Sequence, residues 1–152
     1  MRQRFIGNVI CHVKVDLALI ASPIGPAGDT LYVPLRITGG VVTGLGADKA
    51  VLGGSDFALM HADERLTHCG RFVARDCAGD ILFWYDGTSD ANEGAYDELL
   101  DLRLPGRIPA RLIVRTVSTH PEWRSLNRRP LVGIGTVDAA AGELDFVLQT
   151  VP

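Results

Sequence analysis

Apolar residues in this chain recur at every second position over short runs. Every odd position from Val9 to Leu17 is apolar. Between them lie the polar side chains of His12, Lys14 and Asp16. Alternation of this kind is typical of a β-strand that turns one face to a core and the other to water. It excludes a predominantly helical fold.

Similar runs recur along the whole sequence, separated by turns rich in Gly, Pro and Asp, and they predict about eight to ten strands. One segment differs. Asp90 and Glu93 have the spacing of a capping box, and Tyr96 and Leu99 follow on one helical face. With 152 residues, 47% of them hydrophobic, the chain has the size and composition of one domain. We therefore predict one all-β domain over residues 1–152, a sandwich or barrel with one short helix.

Charge and composition exclude several classes of protein. The net charge is −3, whereas a nucleic-acid-binding protein usually carries a basic surplus. No segment is apolar and long enough to span a bilayer, and three cysteines are too few for a disulfide scaffold. We therefore expect a cytoplasmic protein with reduced cysteines that binds neither nucleic acid nor membranes.

Charge is also unevenly distributed along the chain. Arginines concentrate between Arg103 and Arg129, directly after an acidic stretch from Asp76 to Asp101. Either the two stretches lie near each other in the fold, or some arginines bind an anionic ligand or a partner subunit. A homodimer is left open on this basis.

Several motifs occur in order from about Phe5 to the C-terminus. They are a Gly-Gly pair, a Gly-Gly-Ser-Asp-Phe motif, a Cys-Gly-Arg-Phe strand, an Arg-Thr pair, a Leu-Asn pair and a Gly-rich strand, at 39–40, 53–57, 69–72, 115–116, 126–127 and 132–135. In this order they resemble DUF3237, also called UPF0311, a bacterial and fungal family of unknown function. The resemblance implies a calycin-like antiparallel β-barrel, related in architecture to lipocalins, with no established substrate.

Three positions depart from the pattern of that family. Phe57 and Ser125 stand where the family has Trp. A Glu that follows the Arg-Thr pair in the family has no counterpart near Ser118. Any role of that Glu in relatives therefore does not carry over to this chain.

Candidate site residues are those that would face the interior of such a barrel, which holds side chains or one small ligand. Asp56 shares a strand face with Met60 and follows two glycines. A buried carboxylate is able to act as a general base or acid. Alternatively, it accepts backbone N–H groups and shapes the glycine-rich turn. We predict Asp56 as the catalytic base and Met60 as a ligand contact.

Tyr85 and two arginines are the predicted partners of this base. Tyr85 shares a strand face with Phe83, and its hydroxyl is the predicted donor to a carbonyl oxygen. Phe83 is a predicted ligand contact. The alternative for Tyr85 and Phe83 is that both pack in the core without touching a ligand. Arg71 and Arg115 lie in strand segments and are predicted to hold an anionic substrate group. Their alternative is a solvated outer face or an ion pair with the acidic stretch.

The segment after the Arg-Thr pair supplies three further candidates. His120 is predicted as an acid/base group at the mouth of the pocket, with Trp123 and Asn127 as ligand contacts. The four histidines show no metal-ligand spacing, and Cys69 and Cys77 alone do not make a zinc site. We therefore predict no metal and no cofactor.

These residues predict a small barrel that binds a small carbonyl or carboxylate metabolite. It would act on this ligand by acid/base isomerisation, cyclisation or elimination. Two alternatives remain open, namely a metabolite-binding module without chemistry and a filled barrel that self-associates. An unfilled cavity would separate the first two functions from the third.

Overall fold

The computed structural model describes residues 7–151. Within that range the chain forms nine β-strands, one α-helix and one 3₁₀ helix. The strands are β1 (Val9–Leu19), β2 (Ile24–Ala27), β3 (Thr30–Thr43), β4 (Lys49–His61), β5 (Arg65–Asp76), β6 (Gly79–Asp90), β7 (Arg107–Ser118), β8 (Leu131–Asp138) and β9 (Glu143–Thr150). Helix α1 (Ala95–Leu100) connects β6 to β7, and the 3₁₀ helix (Arg124–Leu126) lies between β7 and β8.

Eight of the strands close into an antiparallel barrel. Neighbours pair in the order β1-β9-β8-β7-β6-β5-β4-β3, and β1 also pairs with β3, which closes the ring. The short β2 pairs with β3 as an additional strand. The predicted all-β barrel with one short helix is therefore confirmed. No helix within residues 7–151 is long and apolar enough to cross a membrane.

The two Gly-Gly pairs lie inside long strands, where they allow neighbouring strands to approach closely. Gly40 in β3 has a φ of 139°, and a Cβ there would lie 2.1 Å from the carbonyl oxygen of Lys14. A Cβ on Gly54 in β4 would lie 1.8 Å from the carbonyl oxygen of Arg71. Because no side chain is present to collide, both strands continue through their glycines. The Gly-rich turns expected between strands therefore do not occur at these two pairs.

Helix α1 begins later than the capping-box spacing predicts. Asp90 is the last residue of β6 and pairs with Arg65, so it is not at a helix terminus. Gly94 precedes the helix with a φ of 85° and provides no side-chain cap. The Glu64 carboxylate, from the β4–β5 turn, accepts the backbone N–H groups of Gly94 at 3.1 Å and Tyr96 at 2.8 Å. The predicted capping box is wrong, because a residue distant in sequence supplies the cap.

Large apolar side chains pack inside the barrel. The fully buried aromatic residues are Phe72, Phe83, Tyr85, Trp123 and Phe146. Phe72 and Phe83 stack with ring centres 4.7 Å apart, and Trp123 meets Phe83 edge-on at 5.3 Å. Burial of each such side chain stabilises the fold by about 1.5–3 kcal/mol.

The connections place different elements at the two ends of the barrel. At one end lies α1, whose Ala95 and Leu99 side chains are buried; we call this the helix end. At the opposite end lie the 3₁₀ helix and Trp123, in the connection that follows β7; we call this the loop end.

Candidate functional site

Asp56 and Tyr85 form a hydrogen-bonded pair inside the barrel. Asp56 on β4 lies opposite Gly70 on β5, which lies opposite Tyr85 on β6. Because Gly70 has no side chain, the Tyr85 ring lies across β5, and its hydroxyl donates to Asp56 Oδ2 at 2.7 Å. A Cβ on Gly70 would lie only 2.1 Å from Tyr85 Cζ. The glycine therefore allows two of the predicted catalytic residues to meet.

His68 and Ser89 extend this pair into a buried polar network. His68 Nδ1 lies 3.5 Å from Asp56 Oδ2, and His68 Nε2 lies 3.1 Å from Ser89 Oγ. All four side chains are buried. Sequence analysis missed His68 and Ser89, because His68 was considered only as one of four histidines without metal-ligand spacing. The signal that was present is the alternation of β5, which turns His68 to the interior.

One oxygen of the Asp56 carboxylate has no hydrogen-bond partner within residues 7–151. This atom, Oδ1, is buried, as is the equally unpartnered Nδ1 of His68. Buried polar atoms in folded proteins are nearly always hydrogen-bonded. An unpartnered buried carboxylate oxygen is therefore available to accept a hydrogen bond or a proton from a small molecule.

The Tyr85 hydroxyl stays protonated in this environment. Burial raises the pKa of Tyr85 well above its ordinary value, and the charge of the Asp56 carboxylate raises it further. A neutral phenol is a hydrogen-bond donor. Tyr85 is therefore able to donate to an oxygen that gains negative charge.

A second buried polar cluster closes the loop end. Lys49 Nζ donates to the carbonyl oxygens of Leu45 at 2.9 Å and Ala47 at 2.7 Å, and it lies 3.3 Å from Asp76 Oδ2. His120 Nε2 lies 2.9 Å from the same Asp76 oxygen. The cluster thus joins three connections, β3–β4, β5–β6 and β7–β8. His120, predicted from the sequence as an acid/base group, belongs to this cluster and not to the Asp56 network.

Because of this cluster, the free energy of unfolding is expected to depend on pH in the acid range. The His120 hydrogen bond lowers the pKa of Asp76 from 3.8 to about 2, helped by the backbone N–H of Ala78 and by Lys49. The unfolded chain therefore binds this proton more tightly than the folded one. The contribution of Asp76 to the free energy of unfolding is complete above its ordinary pKa of 3.8 and is lost as the pH falls through about 2. We expect the free energy of unfolding to decrease from about pH 4 to about pH 2.

Urea titrations of wild type and Asp76→Asn at several acid pH values measure this effect. The variant should show a flatter pH dependence, because it has no carboxylate to protonate at this position. Asp80→Asn, at an exposed surface ion pair, is the control and should keep most of the slope. Equal slopes in wild type and Asp76→Asn would show that the acid sensitivity arises elsewhere.

The two predicted arginine ligands lie on the outer face of the barrel. Along β5 and β7 they alternate with buried neighbours, Arg71 with Phe72 and Arg115 with Thr116. Their side chains therefore point to the opposite side of the sheet from Asp56. The structure does not bring these arginines together with the predicted base.

The remaining predicted contacts lie in the interior or at the loop end. Met60 and Phe83 are fully buried, and Phe83 packs against Trp123. Asn127 fastens the loop that follows β7, because its Oδ1 accepts the N–H of Ser118 at 2.7 Å and its Nδ2 donates to the Ser118 carbonyl at 2.8 Å. Their contact with a ligand stays a prediction.

The cysteines and the acidic residues form no candidate metal site. Within residues 7–151, no group of three or more His, Cys, Asp or Glu side chains is arranged to hold a metal ion. Cys11 is buried, whereas Cys69 and Cys77 are exposed, and none forms a disulfide. Burial raises the pKa of Cys11 to about 12, so this thiol is not a nucleophile at neutral pH.

A cavity of about 940 Å³ lies on the outer face of the barrel, and we call it the outer groove. It is lined by Tyr32, Phe57, Leu59, Thr67, His68, Cys69, Asp86, Gly87, Thr88, Arg111, Leu112, Ile113 and Val132. Its volume is in the range of small-molecule sites. The sequence predicted a ligand-sized pocket in the interior, whereas this groove lies outside. Within the groove, the outward side chains of β5 and β6 are shorter than those of the flanking strands: Thr67, Cys69, Asp86 and Thr88 lie between Phe57 and Leu59 on one side and Arg111 and Ile113 on the other.

Comparison with models of protein families tests the family resemblance that the sequence motifs suggest. The sequence model of DUF3237, described as a protein of unknown function, matches residues 7–149. The chain belongs to this family. Membership of DUF3237 confirms the resemblance drawn from the motifs. The comparison with curated proteins gave no match.

Solved structures similar to this DUF3237 protein share its fold at low sequence identity. A conserved protein of unknown function from Rhodopseudomonas palustris has a TM-score of 0.77 and 18% identity, and the match covers 93% of each chain. A β-barrel-like protein from Acinetobacter baumannii has a TM-score of 0.72 and 14% identity, covering 96% of this chain and 95% of that one. An enzyme from Penicillium herquei has a TM-score of 0.58 and 15% identity, covering 98% and 99%.

Proposed function

We propose that this DUF3237 protein is a cofactor-free acid/base enzyme for a small carbonyl or carboxylate metabolite, with Asp56 as its base. One observation carries the proposal. Asp56 is buried, with Oδ2 fixed by the Tyr85 hydroxyl at 2.7 Å and Oδ1 without a partner in the described range. Such a carboxylate is held in place and keeps one oxygen free of hydrogen bonds, so that this oxygen is able to take a proton.

The proposed chemistry uses both groups of the pair. Asp56 Oδ1 takes a proton from the carbon next to the substrate carbonyl, and the electrons of the broken C–H bond form an enolate. As Asp56 takes up the proton, the single O–H of Tyr85 leaves Asp56 Oδ2 and donates its hydrogen bond to the enolate oxygen, where negative charge develops. The proton on Asp56 then returns to a different atom of the substrate, which completes an isomerisation.

The remaining polar groups have smaller parts in this proposal. His68, with Ser89 on its other nitrogen, packs beside Asp56 Oδ2 with its Nδ1 at 3.5 Å and so restricts the movement of the carboxylate. Surrounding aromatic side chains exclude water and so strengthen the electrostatic interactions at the site. Arg71 and Arg115 have no part, because they face the other side of the sheet.

The similar structure from Penicillium herquei supports this proposal, because it is described as an enzyme. A barrel of this architecture is therefore able to carry catalysis. The fold alone does not specify the reaction, so the proposal depends on the Asp56 network.

A second candidate function is small-molecule binding without chemistry. The outer groove favours it, because a volume of about 940 Å³ suits a small organic ligand. The two functions make different demands on Asp56. Only the enzyme requires its basicity.

Hydrogen–deuterium exchange at carbon tests the catalytic proposal. We would incubate the protein in D₂O with a panel of small ketones, aldehydes and keto acids, and follow the loss of the α-proton signals by NMR. Asp56→Asn should lower the exchange rate at least about 100-fold. The amide retains an oxygen that accepts the Tyr85 hydrogen bond but is not a base, so the fold should be preserved.

Asp80→Asn is the matched control for this experiment. It makes the same chemical change at an exposed ion pair with Arg75 and should exchange protons at the wild-type rate. If the panel binds to Asp56→Asn and wild type alike and neither exchanges a proton, the binding function replaces the enzyme.

A further inference from the structure

The outer groove has an amphipathic lining. Tyr32 and Phe57 form one wall and stack with ring centres 5.8 Å apart. Arg111 and Ile113, from β7, form the facing wall. At a strand spacing of about 4.8 Å, β4 and β7 are roughly 14 Å apart, which is wide enough for a fused aromatic ring system between the walls.

The two charged side chains of the groove, Arg111 and Asp86, lie at different positions along the strands, that is, in different rows of paired residues. Arg111 lies opposite Thr88, whereas Asp86 lies opposite Cys69 and Ile113. Among the ion pairs of residues 7–151 neither Arg111 nor Asp86 takes part. Burial and the neighbouring Asp86 carboxylate raise the pKa of the Cys69 thiol.

We propose that the outer groove binds an aromatic carboxylic acid that carries a hydrogen-bond donor at its far end. The planar guanidinium of Arg111 matches a carboxylate with two parallel hydrogen bonds. The ring lies against Tyr32 and Phe57, and Ile113 covers its other side. The Asp86 carboxylate accepts a hydrogen bond from the donor group at the far end of the ligand. Because Asp86 repels a second carboxylate, the carboxylate of the ligand lies beside Arg111.

The shape of the groove favours a small molecule over a second copy of the chain. An isologous dimer would place two identical faces together, and two concave faces would leave a void between them. The volume of about 940 Å³ instead lies within the range of organic-ligand sites. The groove shares one lining residue, His68, with the Asp56 network, but the proposed ligand contacts include no residue of that network and do not depend on the proposed catalysis.

Binding of 6-hydroxy-2-naphthoate, followed by its fluorescence, tests this inference. We expect saturable binding to wild type and binding at least about tenfold weaker to Arg111→Gln, because a charge-assisted hydrogen bond is lost. 2-Naphthol, which lacks the carboxylate, should bind wild type and Arg111→Gln equally. Arg107→Gln removes an exposed arginine of the same strand that does not line the groove, and should bind like wild type.

Three outcomes would overturn the inference. The first is the absence of saturable naphthoate binding, and the second is equal naphthoate affinity in wild type and Arg111→Gln. The third is that the protein sediments as a dimer, that Phe57→Glu dissociates this dimer, and that the naphthoate does not bind. Asp56→Asn should retain full naphthoate affinity. Failure of the groove site therefore leaves the catalytic proposal standing, and the reverse also holds.

Discussion

Replacement of Lys49 by Met is expected to lower the free energy of unfolding by about 3–5 kcal/mol. Lys49 is only 1% exposed, and its ammonium group is in contact with two carbonyl oxygens and the Asp76 carboxylate. Met fills most of the volume but donates no hydrogen bond. Two carbonyl oxygens at the loop end would therefore lose the Lys49 donor, and the Asp76 carboxylate would lose its neighbouring positive charge.

Lys14 provides the matched control, because it is the only other lysine of the chain. Its side chain is 43% exposed and lies 3.2 Å from Glu143 Oε1. Lys14→Met should cost about 0–1 kcal/mol, as a surface ion pair does. Urea unfolding of the two variants gives the comparison. Equal losses would mean that Lys49 does not hold the loop end together.

Replacement of Gly70 by Ala is expected to destabilise the fold by about 1–3 kcal/mol and to displace Tyr85. The new methyl group would lie 2.1 Å from Cζ and 2.3 Å from the hydroxyl oxygen of Tyr85. The ring has to move away from β5, and its hydrogen bond to Asp56 is then broken. The variant should therefore lose proton exchange as well as stability.

A double-mutant cycle separates this collision from other effects of the substitution. In a Tyr85→Ala background the ring is absent, so Gly70→Ala should cost much less. Gly106→Ala is a second control, because a Cβ at Gly106 would meet no atom within 4 Å. A cost for Gly70→Ala that is unchanged without the Tyr85 ring would contradict this account of the pair.

The strands of the barrel were predictable because their signal is local. Alternation from Val9 to Leu17 predicts which side chains face the core, and β1 follows that pattern from Cys11 onward, whereas Val9 at its start is exposed. The start of α1 was not predictable in the same way. Glu64, about 30 residues before the helix, provides its cap, and no local pattern reports a contact across that distance.

The candidate site was predictable only in part. Alternation and the motif around Asp56 were enough to select Asp56 and Tyr85 as inward-facing residues. Their hydrogen bond depends on the register of β4, β5 and β6, which places Gly70 between them. Register is set by pairing between distant segments, so the role of Gly70 and the contact with His68 became visible only in the structure.

Lys49 shows a second limit of sequence analysis. Lysine is almost never fully buried unless it is paired, so nothing in the sequence marks Lys49 as an interior residue. It is buried because backbone carbonyls of the β3–β4 loop and a carboxylate from the β5–β6 turn converge on it. These partners come from two segments, and because Asp76 is distant from Lys49 in the sequence, no local pattern marks the contact between them.

The central claim of this account is that a small molecule reaches Asp56 Oδ1 and reacts there. Mass-spectrometric peptide mapping after incubation with glycidol tests it most directly. The carboxylate attacks an epoxide carbon, the C–O bond of the ring opens, and the alkoxide takes a proton from Tyr85 or water, which leaves an ester on Asp56. We predict that the folded protein carries this ester on Asp56 ahead of its exposed carboxylates. An unmodified Asp56 in a protein esterified at exposed residues such as Asp101 would contradict the claim.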